Sequence, residues 1–162
     1  MTIDDLEDAD VLRMDHEEIT AFLTAHGAGV LGLPSDGAPY LLPLSYGYDG
    51  ADALYFTYVL DGESRKEVLS DRADTSSFLV YTASSPFQWQ SVLLEGHIEA
   101  VDPGAYDDLR ETISDAWRPA VFEQAAADDD VAIYRFSITD RAGLKATGLP
   151  PGLRGDDESN DE

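Results

Sequence analysis

Turn signals at close spacing cut this chain into short β-rich runs, and that spacing restricts it to a small antiparallel fold. Gly29-Val30-Leu31-Gly32-Leu33 reads as a strand, and Pro34-Ser35-Asp36-Gly37 as the turn after it. A second strand spans residues 39–48, an Asp49-Gly50 turn follows, and a third strand spans 53–58. Two hairpins in succession make a meander, because connections this short cannot carry the chain back into parallel register. Residues 75–82 and 88–101 supply a fourth and a fifth strand, the fifth with Gly96 as a bend or bulge, and 131–138 supplies a sixth.

Helical periodicity fills the gaps. Asp15, with Glu18 three residues on, is a capping box for a helix whose Ile19, Phe22 and Leu23 share one face and which stops at Gly27. Asp102 and Pro103 open another, carrying Tyr106, Leu109, Ile113, Ala116 and Trp117, and a further helical segment is expected over 121–127. The expected fold class is mainly β: a six-stranded antiparallel barrel with flanking helices. Barrel diameter grows with strand number, so six strands enclose no ligand-sized cavity. A ligand must then bind on the outer wall or between subunits.

Residues 1–14 read as an acidic arm, 15–148 as the barrel domain, and 149–162 as a Pro/Gly-containing acidic tail, disordered over 156–162. Charge narrows the function further. Thirty-three acids against ten bases give a net charge of -23, and only two of the bases are lysines. Such a surface repels nucleic-acid phosphates and anionic lipid, so neither nucleic acid nor membrane is an expected partner. Lysine depletion with abundant Asp points to a halophile, where molar salt shortens the Debye length to about 3 Å. No cysteine is present, which removes thiol chemistry and cysteine-bound metals. MTIDDLEDAD has neither a basic start nor an apolar core, so a cytoplasmic location is expected.

Against that background, Ser64-Arg65-Lys66-Glu67 stands out. It reads as a capping box, with Ser64 accepting from the amide of Glu67 and Glu67 reaching back to that of Ser64. Two cations then occupy a first helical turn that already carries positive dipole, which is unfavourable unless an anion joins them. A helix start with free N–H groups, a hydroxyl and two cations suits a phosphate, and the strand at 54–58 delivers Thr57 beside it. The competing reading is plain surface ion pairing.

In this order, the segments resemble the pyridoxamine 5′-phosphate oxidase-like FMN-binding split-barrel family. The resemblance covers roughly residues 19–138. It rests on Phe56-Thr57, Ser64-Arg65-Lys66, Asp71-Arg72-Ala73-Asp74, and Trp89-Gln90-Ser91-Val92-Leu93-Leu94-Glu95-Gly96. The run Pro39 to Tyr46 is similar to the strand whose main chain lies along the isoalloxazine edge. That strand lacks the arginine which pyridoxamine phosphate oxidases direct at the FMN phosphate, and the tail lacks their substrate-binding Arg and Trp elements. The pattern is nearer the nitroimidazole-resistance-like branch, although many of its members have His where Thr57 stands.

The resemblance implies FMN as cofactor. Arg65 and Lys66 would take its phosphate with Ser64 or Thr57, Pro43, Leu44 and Ser45 would line the ring, and Gln90 or Ser91 would reach it from the fifth strand. It also implies a homodimer sharing two flavin sites, with Phe87 and Trp89 as interface material, and an oxidoreductase acting on a small molecule with NAD(P)H as a candidate reductant. No catalytic side chain stands out. The alternatives are a flavin carrier or sensor without turnover, or a barrel holding a deazaflavin or haem. His97 alternates with Glu95 and Glu99, a pattern that suits a solvated strand face better than a metal site.

Overall fold

A computed structural model describes residues 11–60, 64–114 and 131–148. The alternating runs form β1 (Val11–Arg13), β2 (Ala28–Leu33), β3 (Tyr40–Ser45), β4 (Gly47–Tyr48), β5 (Ala53–Val59), β6 (Ser76–Ser85), β7 (Gln88–Ala100) and β8 (Val131–Thr147). Helices α1 (His16–Ala25), α2 (Arg65–Arg72) and α3 (Arg110–Ser114) flank them.

The strands join in the order β3-β2-β6-β7-β8-β5-β4. Only Tyr46 separates β3 from β4, so the two ends of this path meet and the sheet closes on itself. With β3 and β4 taken as one bent strand, the barrel has the six strands expected. All its pairings are antiparallel.

Three boundaries differ from expectation. The arm expected over 1–14 ends inside the sheet: Val11 pairs with Ala146, Arg13 pairs with Leu144, and Val11 and Met14 are buried. Its first ten residues lie outside the described residues, as do Ala116, Trp117, the helical segment at 121–127, the loop 61–63 and the tail from 149. The last strand runs nine residues beyond 138, past a register shift opposite Glu95 and Gly96. That shift is the irregularity Gly96 suggested. The helix expected from Pro103 begins instead as two 3-10 turns, 103–105 and 107–109, with Asp102 accepting from the Gly104 amide at 2.9 Å. Gly104 is a poor helix former, and the adjacent aspartates compete for backbone groups.

Alternation fills the barrel with rings. Phe56, Phe78 and Phe136 are fully buried, with Phe56 and Phe78 centroids 4.9 Å apart, and Tyr46 meets Phe78 edge-on at 5.5 Å. Toward the α2 end, Tyr58 stacks on Tyr134 at 4.5 Å. No ligand-sized space is left inside such a narrow barrel. Helix α1 packs Ile19, Phe22 and Leu23 on this core. The Asp15 half of its capping box forms, the carboxylate accepting from Glu18 N at 2.8 Å, while the Glu18 carboxylate pairs with Lys145 of β8.

The outer wall of β5 and β8 is covered by the segment that ends in α3, where Ile113, Tyr106 and Leu109 pack against Ala53, Tyr55 and Ile133. Contact is closest at Gly47, where a β-carbon would collide with the Thr112 carbonyl and come within 3.2 Å of Ile113 Cα. Backbone on both sides leaves no flexible atom to move aside. Gly47→Ala should therefore cost about 1–3 kcal/mol through overpacking. Urea unfolding of the variant checks this, and a wild-type midpoint would show that α3 does not need that close approach.

Candidate functional site

Tyr46 divides one strand between two neighbours. Before it β3 pairs with β2, after it β4 pairs with β5, and the second edge of β3 pairs with no described strand. A split therefore opens between β3 and β5, leaving β3 main-chain groups unclaimed by the sheet. Extending the Gly47↔Tyr55 register by two places sets Ser45 opposite Thr57. Both lie on outward-facing positions, since Leu44 and Tyr58 belong to the core side. Leu44 thus offers a ligand only its backbone, whereas Pro43 is exposed and Ser45 half-buried.

Helix α2 begins just beyond the end of β5 and closes that end of the barrel. Its capping box does not form. Ser64 makes no capping hydrogen bond, because its own carbonyl accepts from both Glu67 N at 3.1 Å and Val68 N at 3.2 Å and closes the turn without the hydroxyl. The two cations beside it are placed as the sequence suggested, and their partners are aromatic. Arg65 Cζ lies 5.1 Å from the centroid of Tyr40, the first residue of β3, and Lys66 Nζ lies 5.6 Å from that of Tyr58. Among the described residues the ion pairs are Arg110–Asp107, Arg141–Asp52 and Lys145–Glu18, so neither Arg65 nor Lys66 is paired with a described carboxylate.

Hydroxyl bonds fasten this helix start to the core. Ser70 donates to the Lys66 carbonyl at 2.6 Å, so the Tyr58 hydroxyl, 2.9 Å away, donates to Ser70. The Tyr134 hydroxyl donates to Asp71 Oδ1 at 3.0 Å. Burial pushes the Tyr58 hydroxyl up to about 12, and burial with the nearby Asp71 carboxylate raises Tyr134 further. Both therefore remain neutral donors at physiological pH. Tyr40 and Tyr58 were not singled out from sequence, although their alternation with Leu42, Leu44 and Phe56 marks them as core-facing.

The fifth-strand candidates separate. Ser91 pairs with Tyr81 and Leu144 on the outer face, and Gln90 points to the opposite face, beside Lys145. Ser91 sits three strand steps from Ser45, about 14 Å at sheet spacing, so the two do not meet within one chain. Between them the outer face is apolar. Pro43, Val30, Leu79, Leu93 and Ala142 stand in one row of direct cross-strand neighbours over five strands. Leu93 is 46% exposed and Tyr81 63%. Trp89 pairs with Ala146 farther along β7, and Phe87 is in the β6–β7 turn.

Among the described residues no group of three or more His, Asp or Glu side chains could hold a metal ion. His97 is exposed, with Nδ1 2.6 Å from the Asp74 carbonyl. No described helix is long and apolar enough to cross a membrane.

Comparison with known proteins agrees with this fold. Among solved structures, an FAD-binding protein from Mesorhizobium loti is 24% identical with a TM-score of 0.67, over 85% of this chain and 98% of that one. An FAD- and haem-binding protein from Mycobacterium smegmatis is 18% identical with a TM-score of 0.62, over 87% of this chain and 75% of that one. A protein from Bacteroides thetaiotaomicron described as a 5-nitroimidazole antibiotic resistance protein is 16% identical with a TM-score of 0.61, over 83% and 87%. No curated protein sequence matches significantly. A family profile described as pyridoxamine 5′-phosphate oxidase matches residues 15–145. The chain therefore belongs to the pyridoxamine 5′-phosphate oxidase family.

Proposed function

We propose that the protein is an FMN-dependent oxidoreductase whose flavin lies on the outer wall, at the split between β3 and β5. One observation carries this reading: in a chain with a net charge of -23, Arg65 and Lys66 share a helix start and pair with no described carboxylate. Such a site favours a phosphate monoester. Ser64 and Thr57 are the nearby hydroxyls, and the unpaired edge of β3 at Pro43, Leu44 and Ser45 suits the hydrogen-bonding rim of an isoalloxazine. Solved neighbours described as FAD-binding support a flavin, and the anion site would serve the phosphate of either form. The flavin carries the redox chemistry, so the protein need only bind, orient and give access to a small-molecule substrate, with NAD(P)H as reductant.

A second reading, a flavin carrier or sensor, differs only in turnover, which NAD(P)H oxidation with an acceptor measures. Haem enters because one neighbour is described as binding FAD and haem, and the visible spectrum of the purified protein distinguishes haem, flavin and deazaflavin.

The protein should take up FMN in preference to riboflavin. Arg65→Ala with Lys66→Ala should abolish that preference, because each charge-assisted bond to phosphate contributes about 1.5–3 kcal/mol and the pair a hundredfold or more. Fluorescence quenching at matched salt measures both affinities. Unchanged FMN affinity in the double variant would place the phosphate elsewhere.

The protein also acts as a homodimer in this reading. The uncharged row from Pro43 to Ala142 is the surface a second copy would cover, and a two-fold axis would bring the partner's Ser91 strand toward the ring at Ser45. A lone outer wall would leave too much of a planar cofactor in water. Leu93→Glu puts a charge into the apolar row that the second copy would bury, so light scattering should show a monomer with weakened flavin binding. A Leu93→Glu monomer with full flavin affinity would overturn the shared site.

Concentrated salt completes the reading. Glu95 and Asp140 stand directly opposite each other across β7 and β8, a like-charge pair that screening relieves. Melting temperature should rise from low to molar KCl, and a flat or falling curve would remove the halophile assignment.

A further inference from the structure

We infer that Tyr40 and Tyr58 are positioning residues for the phosphate site, holding Arg65 and Lys66 on their ring faces so that the chain's own carboxylates do not occupy them. This rests on Arg65 and Lys66 taking the phosphate, and it adds how that site stays open in so acidic a protein.

The difficulty is one of competition. Acids outnumber bases by thirty-three to ten, and the flexible cation side chains beside the split have Glu67 and Asp71 on their own helix. A cation paired with an internal carboxylate must break that pair before it can bind phosphate. A ring face attracts a cation through its quadrupole without carrying charge, so it holds the group in place and leaves its hydrogen-bonding protons free. Arg65 lies over Tyr40 at 5.1 Å and Lys66 over Tyr58 at 5.6 Å.

The surrounding bonds serve the same end. Tyr58 is fixed through Ser70, whose hydroxyl also binds the Lys66 carbonyl, so ring and cation are held as one unit. Asp71 accepts from Tyr134 on the core side at 3.0 Å and forms no ion pair with Lys66. Tyr40 has a further role. It opens β3, and its ring lies against Arg65 at the start of α2. A cation is thereby held against that strand from the helix.

Tyr40 gives the cleaner test, because Tyr58 is fully buried and its loss would disturb the core. Tyr40→Leu keeps an apolar side chain beside Leu42 and Leu44 but removes the ring. Its FMN affinity should fall on the order of fivefold, as loss of a partly exposed cation–π contact implies, while riboflavin affinity stays at wild type. Tyr40→Phe should restore the preference, since the ring and not the hydroxyl makes the contact. If Tyr40→Leu keeps the wild-type ratio of FMN to riboflavin affinity while the Arg65→Ala, Lys66→Ala variant loses it, the positioning role is overturned and the phosphate site stands. If the double variant keeps the ratio as well, both fall.

Discussion

Tyr46 is the residue on which this architecture turns. Its amide donates to the Gly27 carbonyl at 2.9 Å, its hydroxyl to the Leu23 carbonyl at 2.8 Å, and its ring lies edge-on to Phe78. Backbone and side chain are thus both tied to the end of α1 and the core, at the one point where the strand leaves β2 for β5. That transfer closes the barrel. It also opens the split beside β3, because residues 40–45 pair with β2 while β5 pairs only with the stretch beyond Tyr46. Closure and split come from one bend, and the aromatic interior leaves a cofactor only the outside of it.

Charge placement follows from the same geometry. Several of the described bases are committed to structure. Lys145 fastens α1 to β8, Arg141 bonds the Ala51 carbonyl at 2.7 Å and Asp52 at 2.8 Å to hold the β4–β5 turn, and Arg135 donates to the Tyr55 hydroxyl at 3.1 Å. Arg141 is well buried against an exposed Asp52, so its bonds fix a turn more than they add stability. Arg65 and Lys66 are the adjacent pair held by rings instead, at the mouth of the split.

Much of this was legible in the sequence because it depends on local chemistry. The Asp15 cap, the Asp49-Gly50 turn with Gly50 at φ 82° and the irregularity at Gly96 each follow from what one residue type can do, and each is present. The Ser64 cap failed because a backbone carbonyl can close a first turn as well as a hydroxyl, and sequence does not say which will. β8 was read short because Thr139-Asp140-Arg141 interrupts apolar alternation, yet that interruption is the bulge itself, after which pairing to β7 resumes. The strand register that separates Gln90 from Ser91 was beyond reach for another reason. A one-residue slip exchanges the two faces, and only long-range pairing fixes it. The ring partners of Arg65 and Lys66 were hidden likewise, since Tyr40 stands twenty-five positions before its cation.

That no catalytic side chain stands out among the described residues fits the proposed flavin site. A site on an outer wall, assembled from strand edge and helix start, has few side chains that could surround a substrate. Acid–base or nucleophilic catalysis needs such groups held on several sides of the reacting atoms. A bound redox cofactor removes that need, because its ring is both reactant and one wall of the pocket. What the protein must then supply is a second wall. The uncharged row from Pro43 across Val30, Leu79 and Leu93 to Ala142 is continuous with the strand at the split, and a symmetric partner pressed on that row would supply the wall to both sites at once. Burying the row against water and enclosing the cofactor would then be one event, so cofactor affinity and subunit association should be thermodynamically linked.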